Sequence, residues 1–284
     1  MKRIDMNILA AVNEAYLEPL SVVLYSLQKH NCGAHTVYVL HFSIPLPVQE
    51  QFQMKVNRLC KRMKVMFCQI DEHRFDGIWW CERYRREAYL RLLMLSALPK
   101  QLDRILWLDA DILVRGSLRA FYQYPDKGQC AVVCEDMIRG SERYEVLLQL
   151  GLKKEDKYFN SGVMLFFIKN IRKAFSEDYF LSWMLQNPDK LNYPDQNVFN
   201  YCFYKKVVFA NSEKYNVQLL KRQYSSTIKD RVYRKHARIF HYNTKEKPWK
   251  NPYYGAEEAE YWHYAIRVLG VRRLIKHYLE KYKK

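Results

Sequence analysis

The chain has 284 residues, 49% of them hydrophobic and 15% aromatic, with 47 Lys and Arg against 30 Asp and Glu for a net charge of +17. That apolar content supports a buried core and excludes a disordered chain. Nine Gly and nine Pro are too few for a collagen-like or low-complexity architecture.

The predicted elements alternate between strands and helices. Asn7–Val12 reads as a short buried strand, and Leu17, Leu20, Leu24 and Leu27 then follow at helical spacing to about His30. Residues 36–42 form a second strand. Pro47 sits in a helix first turn, with a helical pattern through Met63. Val65–Ile70 is a third strand, Arg83–Leu98 a helix stopped by Pro99, and Arg104–Leu108 a fourth strand ending in acid. Cys130–Cys134 and Gly162–Phe167 read as two more strands. This order predicts an α/β fold with a mainly parallel sheet and helices on both faces. In such sheets ligands bind beyond the carboxyl ends of the strands.

No stretch reaches the ~18 uninterrupted apolar residues of a membrane-spanning helix. Asp5 and Glu14 bound an apolar run too short for a secretory signal. The seven Cys show no CxxC and no zinc spacing, so they read as reduced thiols of a cytoplasmic protein.

Four segments carry candidate chemistry. In Leu106-Trp107-Leu108-Asp109-Ala110-Asp111 two carboxylates interrupt an apolar run. On a strand, residues i and i+2 share a face, so both acids converge on one hard cation; the alternative is that they cap a turn or pair with Arg104 and Arg115. Asn160-Ser161-Gly162 leads into an apolar strand and by itself reads as a turn. Asp195, in Tyr193-Pro194-Asp195-Gln196, reads as the N-cap of a helix starting near Gln196. His241 ends the apolar pair Ile239-Phe240 and is either structural or a third metal ligand. Lys247, in Lys247-Pro248-Trp249, can meet a phosphate as a point charge.

These four segments, in this order, resemble the family 8 glycosyltransferases, which include bacterial lipopolysaccharide galactosyl- and glucosyltransferases and the glycogenins. The resemblance runs from about Asn7 to Trp249. It implies a GT-A nucleotide-sugar fold over residues 1–250, a UDP-hexose donor (glucose or galactose), a saccharide acceptor, and retention of anomeric configuration. Asp109 and Asp111 match the family's metal-binding Asp-x-Asp and His241 its third ligand, for Mn²⁺ or Mg²⁺. Lys247 matches a Lys on the diphosphate. Ala11, Asn13 and Tyr16 match the segment that holds uracil and ribose. The family usually has an acid pair followed by Asn and Tyr there, where this chain has Asn13-Glu14-Ala15-Tyr16. Arg91 matches a basic residue near the donor sugar. Asp136 matches an acid reading donor hydroxyls, with Glu135 next to it. Asn160 and Asp195 match sugar-contacting positions, and Gln196 the residue beneath the anomeric carbon. Thr244 stands where the family usually has Gly beside the diphosphate.

The excess charge lies late, with 18 Lys and Arg against 6 Asp and Glu from Lys214 to Lys284. From Tyr261 onward, Trp262, Ile266, Leu269 and Arg273, then Val271, Leu274, Ile275 and Tyr278, recur at helical spacing. Residues 251–284 therefore read as a basic aromatic extension, either lying on an anionic membrane surface at the inner face or docked on its own domain. Nucleic acid is disfavoured, since no helix-turn-helix, RNP-type or zinc-knuckle pattern occurs. Two other function classes compete. A metal-dependent phosphohydrolase wants Thr or Val two residues after the second acid, where Leu113 stands. A non-enzymatic basic membrane- or nucleic-acid-binding module leaves Asp109, Asp111 and Asn160-Ser161-Gly162 without a role.

Overall fold

The structure, a computed structural model, describes residues 3–79, 86–219, 235–250 and 257–281. Its centre is a seven-stranded sheet in the order β3-β2-β1-β4-β7-β6-β8. The strands are β1 (Met6–Ala11), β2 (His35–His41), β3 (Met63–Gln69), β4 (Arg104–Leu108), β6 (Ala131–Glu135), β7 (Phe159–Phe167) and β8 (Val207–Ala210). All neighbouring pairs are parallel except those made by β7, which runs antiparallel to β4 and β6. A second sheet, β5-β10-β9, is built from β5 (Ile112–Val114), β10 (Ile239–His241) and β9 (Val217–Gln218). These strands are too short for their periodicity to be visible in the sequence.

Alternate residues of each central strand enter opposite cores. Leu9, Ile105, Trp107, Val133 and Phe166 pack on one face, and Ile8, Ala10, Leu106, Leu108, Val132 and Leu165 on the other. Burial on both faces explains why these strands read as continuous apolar runs. β1 pairs with β2 on one side and β4 on the other, so the strand order reverses there. The carboxyl ends of strands at such a switch point are the usual ligand position in these sheets.

Several boundaries differ from the sequence reading. The helix after Pro45 spans Leu46–Leu59, not through Met63, because Met63 pairs with His35 and starts β3. Of the predicted helix at 83–98, residues 83–85 lie outside the described residues; the rest is a 3₁₀ helix, Arg86–Leu93, followed by a short α-helix, Met94–Ala97. Tyr89 to Leu93 are five consecutive buried residues, so the segment has no solvent face of the kind an amphipathic helix needs. Asn160, Ser161 and Gly162 lie within β7 rather than in a turn. The register of β7 against β6 shifts between Val132 and Cys134, which accommodates them.

The C-terminal part is two helices, Glu257–Leu269 and Val271–Lys281. They are separated by Gly270 at φ +83°, a conformation that favours glycine. Both stretches read at helical spacing in the sequence are helical. The first helix is core. Tyr261, Trp262, Ala265 and Val268 pack with Val22, Phe240 and Tyr242, and Trp262 Nε1 donates to Pro248 O at 2.9 Å. The second is held by His277, whose ring stacks on Trp262 and whose Nε2 lies 2.7 Å from Glu258 Oε1. Its outer side exposes Val271, Ile275 and Leu279. The predicted start of this extension, 251–256, lies outside the described residues. Among the described residues no helix is long and apolar enough to cross a membrane.

Candidate active site

Asp109 and Asp111 sit in the tight connection between β4 and β5. Their convergence comes from that turn, not from alternation along a strand. Asp109 N–H donates to Gly162 O on β7, and Asp111 O accepts from Tyr242 N–H, so both sheets hold the turn. β10 delivers His241 opposite. One ligand atom each from Asp109, Asp111 and His241 lies within 4.8 Å of the others. His241 Nε2 is 3.2 Å from Asp111 Oδ1 and 3.7 Å from Asp109 Oδ2. Gly162 makes room for the ring, since a Cβ there would stand 2.2 Å from His241 Cε1.

The acids have counter-charges other than those expected. Arg104 donates to Tyr122 O and Tyr124 O, and Arg115 pairs with Glu260. Asp109 Oδ1 instead accepts from Trp107 Nε1 at 2.7 Å and Arg91 Nη2 at 2.9 Å. Asp111 Oδ2 accepts from Lys247 Nζ at 2.6 Å. Burial pushes the Asp111 carboxyl up, but Lys247 and then His241 outweigh it and hold the carboxyl well below the usual range. Asp111 Oδ1 is buried with no well-aligned hydrogen bond, its neighbour His241 Nε2 standing 3.2 Å away. A buried anionic oxygen left this way is costly. Two carboxylate oxygens and an imidazole nitrogen facing a common point fit a divalent cation.

Asp195 and Gln196 begin the helix Pro194–Cys202. Asp195 is not its N-cap, which is Tyr193 without a side-chain bond; the carboxylate turns inward to the site. Its Oδ2 lies 3.2 Å from Arg91 Nε. Burial pushes the Asp195 carboxyl up, and Asp109 adds to the push, while Arg91 opposes it. Arg91, itself 4% exposed, thus stands between Asp109 and Asp195, stacks 3.9 Å over the Trp107 ring, and donates to Ser161 O at 2.6 Å. Gln196 Oε1 accepts from Ser161 N–H (3.0 Å) and Asn160 Nδ2 (3.2 Å), and its Nε2 donates to Asp136 Oδ2 (3.2 Å). Asn160 Nδ2 also reaches Asp136 Oδ2, at 3.0 Å. Glu135 points away and pairs with Lys157.

The remaining predicted residues stand apart from this network. Ala11 ends β1 against Leu40. Asn13 precedes a 3₁₀ turn, Glu14–Tyr16, and its Oδ1 is buried without a partner. Tyr16 packs edge-on against Trp249, with Lys250 over its ring. The Thr244 hydroxyl donates to Glu246 O at 2.9 Å, inside its own turn. Sequence reasoning missed Trp107 and Asn216. Trp107 had a signal, two positions before Asp109 on a strand. Asn216 had none, being one Asn among unremarkable neighbours.

A family model described as Glycosyl transferase family 8 matches residues 7–252. The chain is 25% identical over 258 residues to a lipopolysaccharide 1,2-glucosyltransferase of Escherichia coli K12, covering 86% of this chain and 72% of that protein. It is 22% identical over 273 residues to general stress protein A of Bacillus subtilis, covering 91% and 92%. Among solved structures, the galactosyltransferase LgtC in complex with donor and acceptor sugar analogs superposes with a TM-score of 0.76 at 21% identity, covering 93% of this chain and 96% of that one. The shared architecture is the GT-A fold. A family match of that extent, on that fold, has one consequence: this chain belongs to glycosyltransferase family 8.

Proposed function

We propose that the chain is a retaining hexosyltransferase that moves glucose or galactose from a UDP-sugar to an acceptor hydroxyl of a cell-surface glycan or lipid-linked saccharide. The observation that carries this reading is the adjacency of two clusters. Asp109, Asp111, His241 and Lys247 form a diphosphate-side group, and Asp195, Gln196, Asn160 and Asp136 a sugar-side group, with Arg91 bonded to both.

Asp109, Asp111 and His241 would hold Mn²⁺ or Mg²⁺, and a bound cation would supply Lewis-acid charge to the diphosphate. The Lys247 ammonium adds a fixed positive charge where the leaving UDP becomes more negative. On the sugar side, the bond from the anomeric carbon to phosphate breaks as the bond to the acceptor oxygen forms on the same face. The departing phosphate oxygen takes the acceptor proton. Gln196, held by Ser161, Asn160 and Asp136, is a poor nucleophile; it and Asp195 stabilise the cationic sugar from below. Ala11, Asn13 and Tyr16 receive the nucleoside, with Asn13 Oδ1 accepting from uracil N–H.

The exposed Val271, Ile275 and Leu279, flanked by exposed Arg272 and Lys276, support peripheral attachment to an anionic membrane at its cytoplasmic face. Proton NMR of the product from the preferred UDP-hexose and a saccharide acceptor tests the central reading, which requires an axial linkage like that of the donor. An inverted product, or a glycosyl group trapped on Asp195 by mass spectrometry, contradicts it.

A further inference from the structure

A chain of side-chain amides joins the two clusters, and its polarity is fixed by groups that have no choice. The Gly162 N–H can only donate, and it donates to the Asn160 side chain at 3.0 Å, so that atom is Oδ1. The other amide atom of Asn160 faces Asp136 Oδ2, a carboxylate oxygen, which agrees. Asn216 meets Asn160 Oδ1 at 2.9 Å and must present Nδ2 to it. Its Oδ1 therefore faces His241 Nδ1, at 2.9 Å. An amide oxygen there requires a proton on Nδ1. A neutral imidazole protonated at Nδ1 carries its lone pair on Nε2, the atom aimed at Asp109 and Asp111.

From this we infer that Asn216 is a positioning residue that selects the Nδ1–H form of His241 and presents Nε2 to a divalent cation shared with the two acids. The inference rests on the metal-site reading above. Asn216 is well placed for it. It is fully buried, follows the short helix Ser212–Tyr215 and directly precedes β9, which runs beside β10. Gly162 lies against the ring, where a Cβ would stand 2.2 Å from His241 Cε1, so His241 has little space to turn, and the Nδ1 edge meets the Asn216 oxygen while the Nε2 edge faces the two carboxylates. The same amide that orients the metal ligand also bonds Asn160, which touches Gln196 and Asp136. Asn216 thus bridges the diphosphate and sugar sides. Groups behind a metal-bound His commonly set its tautomer, and their loss weakens metal binding roughly 10- to 100-fold.

Two measurements on the full chain test this. The first is long-range ¹⁵N–¹H NMR of protein labelled with [¹⁵N]His, without metal, at a pH where imidazole is neutral, with His241 assigned through His241→Gln. Nδ1–H is expected in the unsubstituted protein. An Nε2–H pattern overturns the inference with no variant needed. The second is Mn²⁺ binding followed by electron paramagnetic resonance. Asn216→Leu is expected to bind roughly 10- to 100-fold more weakly, and Asn216→Asp, which keeps an acceptor for Nδ1–H, to recover most of the affinity. If the unsubstituted protein binds Mn²⁺ and Asn216→Leu, folded by circular dichroism, binds it equally well, the role of Asn216 is wrong while the metal site stands. If His241→Gln and the Asp109→Asn/Asp111→Asn double variant bind Mn²⁺ as the unsubstituted protein does, the metal-site reading itself fails.

Discussion

Arg91 has the most consequences of any single residue here. It is buried against two carboxylates, Asp109 and Asp195, a carbonyl and an indole face. Removing it by Arg91→Met leaves the buried Asp195 and the part-buried Asp109 without their shared counter-charge. Breaking a buried ion pair from one side costs about 3–5 kcal/mol, so urea unfolding should show a loss of that order. Arg91→Lys should recover only part, because an ammonium lacks the planar fork that reaches Asp109, Asp195 and Ser161 O together. A variant as stable as the parent would mean that the two acids are neutral or hydrated. The sequence shows Arg91 only through a family resemblance; nothing in its spacing marks it. The Asp109/Asp111 pair is legible directly, as acids breaking an apolar run. The groups that orient the pair were harder to see. Trp107 is one apolar residue among several, and Asn216 lies about 100 residues away and meets the site only through the pairing of β9 with β10.

At the level of elements, long buried segments were readable and short ones were not. β1, β2, β4 and the helix Leu17–His30 appear near their predicted bounds because each has enough apolar residues to display a period. The 3₁₀ segment Arg86–Leu93 and the small sheet are set by tertiary packing, which no local pattern reports. The two C-terminal helices separate by the same criterion. Trp262 is 2% exposed, whereas Val271, Ile275 and Leu279 are all more than half exposed. Trp262→Ala should therefore cost about 3–5 kcal/mol. The triple change of Val271, Ile275 and Leu279 to Ser should leave the thermal midpoint nearly unchanged, since exposed substitutions usually stay within about 0.5 kcal/mol each. It should also weaken sedimentation with vesicles containing anionic lipid. Unchanged vesicle binding in the triple variant would remove this helix from any membrane role. A truncation meant to test attachment has to start at Val271, because Tyr261 and Trp262 belong to the core.

For the molecule as a whole, burial of thiols links stability to pH. Burial pushes Cys60 and Cys202 up to about 12 and Cys130 to about 11, from an ordinary 9.0. Below about 9 the thiols are protonated in both states and impose no penalty. As pH rises from there toward 11 and 12, the unfolded chain releases protons that the folded one retains, so stability falls. The thermal midpoint should drop across that window, and Cys60→Ala with Cys202→Ala should reduce the drop; an equal drop in both proteins would assign it to other groups. The catalytic reading also concerns the whole molecule, since β1, β4, β7, β10 and the helix Pro194–Cys202 must meet at one end of the sheet. The most direct measurement is nucleotide release from a panel of UDP-hexoses and other nucleotide-sugars, with and without Mn²⁺. The Asp109→Asn/Asp111→Asn variant serves as the control. Release of UDP from one hexose donor, dependent on the metal and lost in the variant, is the predicted result. No UDP release and no UDP binding with any divalent metal would contradict the account.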